Sequence, residues 1–177
     1  FYIRICIKII SFKKFQFYYY AQCVKSGTEY SQQVVQYIHS LVLLGMPIVD
    51  ISKLPLISNK DQNFLKPVFR ALSNQEFVCG ICCENKRQPE LMKNIRFVLH
   101  QSSKISLLHF NNCKMPKGLR RLNSYLDKKE GSNIKYWNLR KNHFKDIKFF
   151  IKILKNTKPG LLFLDLSECH LTDVFMI

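Results

Sequence analysis

The sequence predicts an α/β fold built from repeating strand–helix units, and three observations carry that reading. One apolar pattern recurs. Leu161, Leu164, Leu166, Cys169 and Leu171 are spaced L-x-x-L-x-L-x-x-C-x-L; Ile134, Trp137, Leu139, Asn142 and Phe144 repeat that spacing, as do Ile105, Leu108, Phe110, Cys113 and Met115. The pattern is also periodic: its starts, at Val49, Phe77, Ile105, Ile134 and Leu161, lie 28, 28, 29 and 27 residues apart. Between successive starts, finally, apolar residues recur at three- and four-residue spacing, which places them on one helix face.

These are the marks of a leucine-rich-repeat solenoid. A short strand lines the concave side and a helix covers the convex side. Neither buries its apolar face alone, so the units must stack into a curved array of parallel strands. Units of 27–29 residues leave room for a full helix, as in the ribonuclease-inhibitor type.

Taken in order, residues 1–23 are the least regular. Ile3, Ile5, Ile7 and Ile9 alternate with Arg4, Cys6 and Lys8, which is strand periodicity, while eight of the 23 aromatic residues crowd into the first twenty positions. Two origins fit this bias: a strand remnant of an upstream domain, or translated non-coding sequence, with little fixed structure in either case. Residues 24–47 are expected to form an N-terminal capping segment. Its helix runs over 30–44, with Val34, Ile38, Leu41 and Val42 on one face, Ser31 as N-cap and Gly45 as the stop.

Residues 48–177 then hold about five repeats, the last truncated. In the first unit Val49 is followed by Ser52 and Leu54 at the inward positions. In the second Phe77 is followed by Gly80 and Cys82, with Asn85 in the polar slot. The helix stripes are Leu65, Val68 and Leu72; Leu91, Ile95, Val98 and Leu99; Leu119, Leu122 and Leu126; and Ile147, Phe150, Ile151 and Leu154. Pro67, Pro89 and Pro116 suit first-turn positions, and Pro159-Gly160 ends the helix at 145–158. The absence of an initiator Met and a stop just after a strand suggest a fragment of a longer protein.

Composition narrows the function classes. The formal net charge is +16; residues 104–158 carry 15 Lys/Arg against three acids, and residues 1–25 add five cations with no acid. A field of this sign attracts polyanions such as anionic lipid. Lys145, Lys148, Lys152 and Lys155 would form a basic stripe on the convex face, suited to an anionic membrane surface; nucleic acid is not the expected partner. Seven cysteines without a secretory leader point to a reducing compartment.

No chemistry is predicted: neither catalytic residues, nor a metal, nor a cofactor. Cys79-Gly-Ile-Cys82 lacks the second pair that a structural zinc site needs. Cys113 and Cys169 share the repeat slot that Asn142 fills and are expected to hydrogen-bond the turn backbone. His109, His143 and His170 form no catalytic grouping, His143 and His170 falling in surface turns. The candidate partner-binding residues are instead the alternate strand positions Leu107, His109, Tyr136, Asn138, Arg140, Phe163 and Asp165, because concave repeat surfaces bind partners and aromatic and Arg side chains anchor interfaces.

From Val49 to Leu171 the chain resembles the start of the leucine-rich-repeat domain of the CARMIL family, regulators of actin assembly that inhibit capping protein. Asp50-Ile-Ser-Lys-Leu54 is similar to that family's D-F-S-H-L; Leu65-Lys-Pro67, Ala71-Leu72 and Asn74-Gln-Glu-Phe77 are similar to its L-I-P, A-L and N-Q-W-F. Glu76 stands where the family has Trp, and Gly80 where it has an inward Leu. The resemblance implies a non-enzymatic scaffold, cytoplasmic and associated with the cytoskeleton or plasma membrane, with actin-regulatory protein partners. The family's capping-protein motif belongs to a tail outside this sequence, so no functional residue is carried over. The alternatives are a repeat module that binds a polyanion, either anionic lipid or nucleic acid, and a repeat protein that regulates an enzyme or GTPase, for which Arg140 is the concave candidate.

Overall fold

The computed structural model describes residues 2–55, 64–85, 91–113, 133–143, 151, 155 and 160–169, with side chains from Ile9 onward. In chain order the elements are α1 (Tyr2–Ser26), α2 (Gln32–Leu44), β1 (Ile48–Asp50), a 3-10 turn (Ile51–Lys53), α3 (Leu65–Leu72), β2 (Gly80–Glu84), α4 (Leu91–Gln101), β3 (Leu107–Asn111), β4 (Tyr136–Asn138) and β5 (Phe163–Asp165). The strands form one parallel sheet in the order β1-β2-β3-β4-β5, so the fold is α/β. Among the described residues no helix is long and apolar enough to cross a membrane.

Residues 2–26 are helical, which corrects the strand reading of Ile3–Ile9. Four alternating isoleucines cannot outweigh the i, i+4, i+8 spacing of Phe15, Tyr19 and Cys23, all buried. The Tyr19 ring packs 5.4 Å from that of Tyr30, Phe12 stacks on His39 of α2 at 4.0 Å, and α1 also lies against α3. Fully burying Phe15 and Tyr19 contributes about 1.5–3 kcal/mol each.

The α2 helix follows the sequence expectation closely. The Ser31 side chain accepts a hydrogen bond from Val34 N at 3.3 Å. At the far end Gly45 takes φ +69°, which lets Met46 N donate to Leu41 O at 2.9 Å and satisfies a terminal carbonyl. Val34, Val35, Ile38, Leu41 and Val42 are buried.

This helix also finishes the sheet. The Tyr37 hydroxyl accepts from Asp50 N at 3.0 Å and donates to Asp50 O at 3.1 Å, pairing backbone groups of the edge strand β1. Tyr37→Phe keeps the ring and removes both bonds. A loss of about 1–3 kcal/mol is expected by urea denaturation, and a change below about 0.5 kcal/mol would show that water replaces the hydroxyl at no cost.

The α3 helix buries Leu65, Pro67, Val68, Phe69, Ala71 and Leu72, and α4 buries Leu91, Met92, Ile95, Val98 and Leu99, on the expected stripes. Pro67 is the third residue of α3, inside the first turn where its missing N–H is not needed. The stripe at Leu119, Leu122 and Leu126, together with Pro89, Pro116 and Pro159, lies outside the described residues. Of the later stripe only Ile151 is described; it is helical and 42% exposed, not the covered position that was expected.

Register corrects the first two strands. Val49 pairs with Ile81, Ile81 with Leu108, Leu108 with Trp137 and Trp137 with Leu164. The equivalent of Ile105 is therefore Val78, not Phe77, and the inward pair of β2 is Ile81 and Cys83, not Gly80 and Cys82. All three of Val78, Ile81 and Cys83 are fully buried. Likewise Ile51, not Ser52, follows Val49 inward; the Ser52 hydroxyl turns outward and donates to Glu84 O at 3.0 Å. Val49 is thus the equivalent of Leu108 and not of Ile105, three residues from the place a constant period gave it, while Phe77 is one residue off; an odd slip exchanges the two faces of a strand.

The turns after the strands share a conformation. Asn85, Asn112, Lys141 and Glu168 have φ of 52°, 50°, 57° and 54°. Asn85 thus belongs to this turn position and not to the polar slot, which is the residue after it. In the later strands the slot behaves as expected. Asn142 Nδ2 donates to Phe110 O at 2.6 Å and Leu139 O at 2.8 Å, and Oδ1 accepts from Cys113 N at 2.9 Å. Cys113 Sγ donates to Cys83 O and Cys169 Sγ to Leu139 O, each at 3.1 Å.

Candidate functional site

Alternation along each strand leaves one face of the sheet covered by the core and the other open. Register aligns the open face into columns. Ile48, Gly80, Leu107, Tyr136 and Phe163 form one; Asp50, Cys82, His109, Asn138 and Asp165 form the next. Six of the seven residues expected on this face are thereby brought together, and Arg140 lies just past the end of β4.

The first column is apolar and uneven. A Cβ at Gly80 would meet Leu107 Cδ2 at 3.1 Å and Ile48 Cγ1 at 3.2 Å, because those two side chains close over the glycine. Gly80 therefore lies on this face and is buried by its neighbours, which explains why its missing side chain leaves no gap. At the other end of the column Tyr136 and Phe163 are 40% and 49% exposed. Paired side by side, they form an aromatic patch open to a partner.

The second column is polar. Asp165 Oδ1 accepts from Ser167 N at 2.9 Å, and the Ser167 hydroxyl and backbone hold that carboxyl below the usual carboxylate range. His109 Nε2 lies 3.0 Å from Glu84 Oε1. Cys82 is its direct partner across the β2–β3 ladder. Burial, then the charges of Asp50 and Glu84, push the Cys82 thiol up to about 12, so at neutral pH it is no thiolate nucleophile.

Sequence spacing did not reveal this grouping of Cys82, Glu84 and His109. Cys82 and His109 stand 27 residues apart, one interval of the sheet, and only the corrected register turns Cys82 outward. The recurring interval was the signal that could have found it.

Arg140 is already engaged. Its Nε donates to Glu168 Oε1 at 2.8 Å, Nη2 contacts the same oxygen, and Lys141 Nζ lies 3.4 Å from Oε2. The bond to Arg140 holds the Glu168 carboxyl below its ordinary range. His143 is exposed in its turn, as expected. Of the proposed basic stripe, Lys155 is exposed and helical, whereas Lys145, Lys148 and Lys152 lie outside the described residues, as does His170.

No known protein-family model matches the chain, and no curated protein matches it.

Proposed function

We propose that this chain is part of a leucine-rich-repeat solenoid of the ribonuclease-inhibitor type that works as a non-catalytic scaffold, gripping a protein partner with the open face of its sheet. The observation that carries this reading is the aromatic patch of Tyr136 and Phe163 on an open parallel sheet. Solenoids use such surfaces for binding. Recurrence of the left-handed turn residue, followed by Cys113, Asn142 and Cys169 at its last three occurrences, supports the repeat reading.

The resemblance at residues 50–77 directs the partner class to the actin-assembly machinery at the cell cortex. Proximity labelling in eukaryotic cells tests both parts. The wild-type chain is expected to label regulators of actin filament ends, and the Tyr136→Ser/Phe163→Ser variant to lose them. A purified partner should bind that variant about tenfold or more weakly. Neighbours unrelated to actin would reject the partner class; labelling that survives the double substitution would reject the face.

A further inference from the structure

The β2–β3 pair carries a donor set that the scaffold reading does not use. Cys82 and His109 are register partners, and Glu84 follows Cys82 by two residues on the same face. One ligand atom from each of the three lies within 4.8 Å of the others. His109 Nε2 is itself buried and makes no aligned hydrogen bond, despite lying 3.0 Å from the Glu84 carboxylate. An imidazole nitrogen thus faces a thiol and a carboxylate with no hydrogen bond of its own.

We propose that Cys82, Glu84 and His109 form a binding site for a divalent cation of the zinc class on the open face of the sheet. Sulfur, imidazole nitrogen and carboxylate oxygen are the three ligand types that zinc takes, and three protein ligands leave a fourth position for water. The mixed soft and borderline donors select against calcium and magnesium, which take oxygen ligands. Metal–ligand bonds of about 2.0–2.3 Å require the donor atoms to draw in by about 1 Å. Half-exposed side chains on two fully paired strands can make that adjustment by rotation while the backbone holds still.

The surrounding charge favours a cation. Asp50 flanks Cys82 across the β1–β2 ladder, and its carboxylate and that of Glu84 both act on the thiol; Lys53 opposes them. Asp165 acts on His109 from the other side. Binding exchanges the thiol proton for the metal: the S–H bond breaks, the sulfur keeps the electron pair and bonds the cation, and the proton leaves to solvent. No oxidant or reductant is involved.

Cobalt titration of the reduced, chelator-treated chain tests the site. One equivalent of Co²⁺ is expected to produce a thiolate-to-cobalt charge-transfer band with visible bands of four-coordinate intensity, and Zn²⁺ should abolish them by displacement. Cys82→Ser should remove the charge-transfer band. His109→Gln and Glu84→Gln should keep it but weaken binding by about tenfold or more and alter the visible bands. Cys79→Ser should change nothing. The proposal fails if the wild type gives no such band, if the band survives Cys82→Ser in a folded protein, or if Cys79→Ser removes it, which would move the site to the Cys79–Cys82 pair. None of these outcomes depends on a protein partner.

Discussion

Replacing Trp137 by alanine is expected to destabilise the chain by about 3–5 kcal/mol, enough to unfold a domain of ordinary stability. Trp137 is the largest fully buried side chain and lies between Leu108 and Leu164 in the inward row Val49, Ile81, Leu108, Trp137 and Leu164. Truncation leaves a cavity between β3 and β5 that rigid neighbouring strands fill only in part. Trp137→Leu is expected to cost roughly half as much, because leucine already holds this position in both flanking strands. Circular dichroism through a urea titration reads both variants. Since Trp137 is the only tryptophan, its emission reports unfolding of the wild type as a red shift. A cost below about 1 kcal/mol for the alanine variant would show that this row does not carry the core.

Asn142→Ala is the second large effect, at about 3 kcal/mol. Asn142 is fully buried, and its amide serves three carbonyls, those of Phe110, Leu139 and Arg140, while its oxygen receives Cys113 N. Alanine leaves Cys113 N without its acceptor and takes a donor from each carbonyl, although Leu139 O keeps the Cys169 thiol and Arg140 O keeps Asn112 N. Asn142→Cys is expected to recover part of the loss and cost roughly 1–2 kcal/mol, because Cys113 and Cys169 each donate to a carbonyl from the equivalent place. The ordering of the two variants is the decisive measurement. Equal losses would mean that the thiols at Cys113 and Cys169 contribute packing alone.

Both predictions rest on residues whose roles were readable before the fold was known. Trp137 and Asn142 belong to the three later stretches, where the pattern is strong and the observed register agrees with it. The early stretches were readable only in outline. Val49, Ile51 and Leu54 have the same spacing as the later units, but the step from Val49 to Ile81 spans more residues than the steps that follow. A constant period therefore set the first unit three residues late and fell one residue short at β2, and each odd slip exchanged the faces of its strand. Gly80 looked like a missing core leucine and is a relief point under Leu107 and Ile48. In α1 the isoleucine alternation was a local signal too short to decide the element, while Phe15, Tyr19 and Cys23 were held by packing against later helices.

The same logic separates the parts of the candidate site. Tyr136 and Phe163 could be placed on one face from alternation alone, because side-chain direction in a strand has a period of two. Cys82, Glu84 and His109 could not be grouped that way, since their meeting depends on which residue of β2 lies opposite which residue of β3.

The sequence by itself determined the α/β class, the parallel order of the later strands, the capped α2 helix and the Cys/Asn positions under the turns. All of these follow from local spacing and local hydrogen-bonding capacity. Only the tertiary structure decided the register of β1 and β2, the helical state of residues 2–26 and the juxtaposition of Cys82 with His109. Those depend on contacts between residues far apart in the chain, where packing against a neighbour outweighs local pattern.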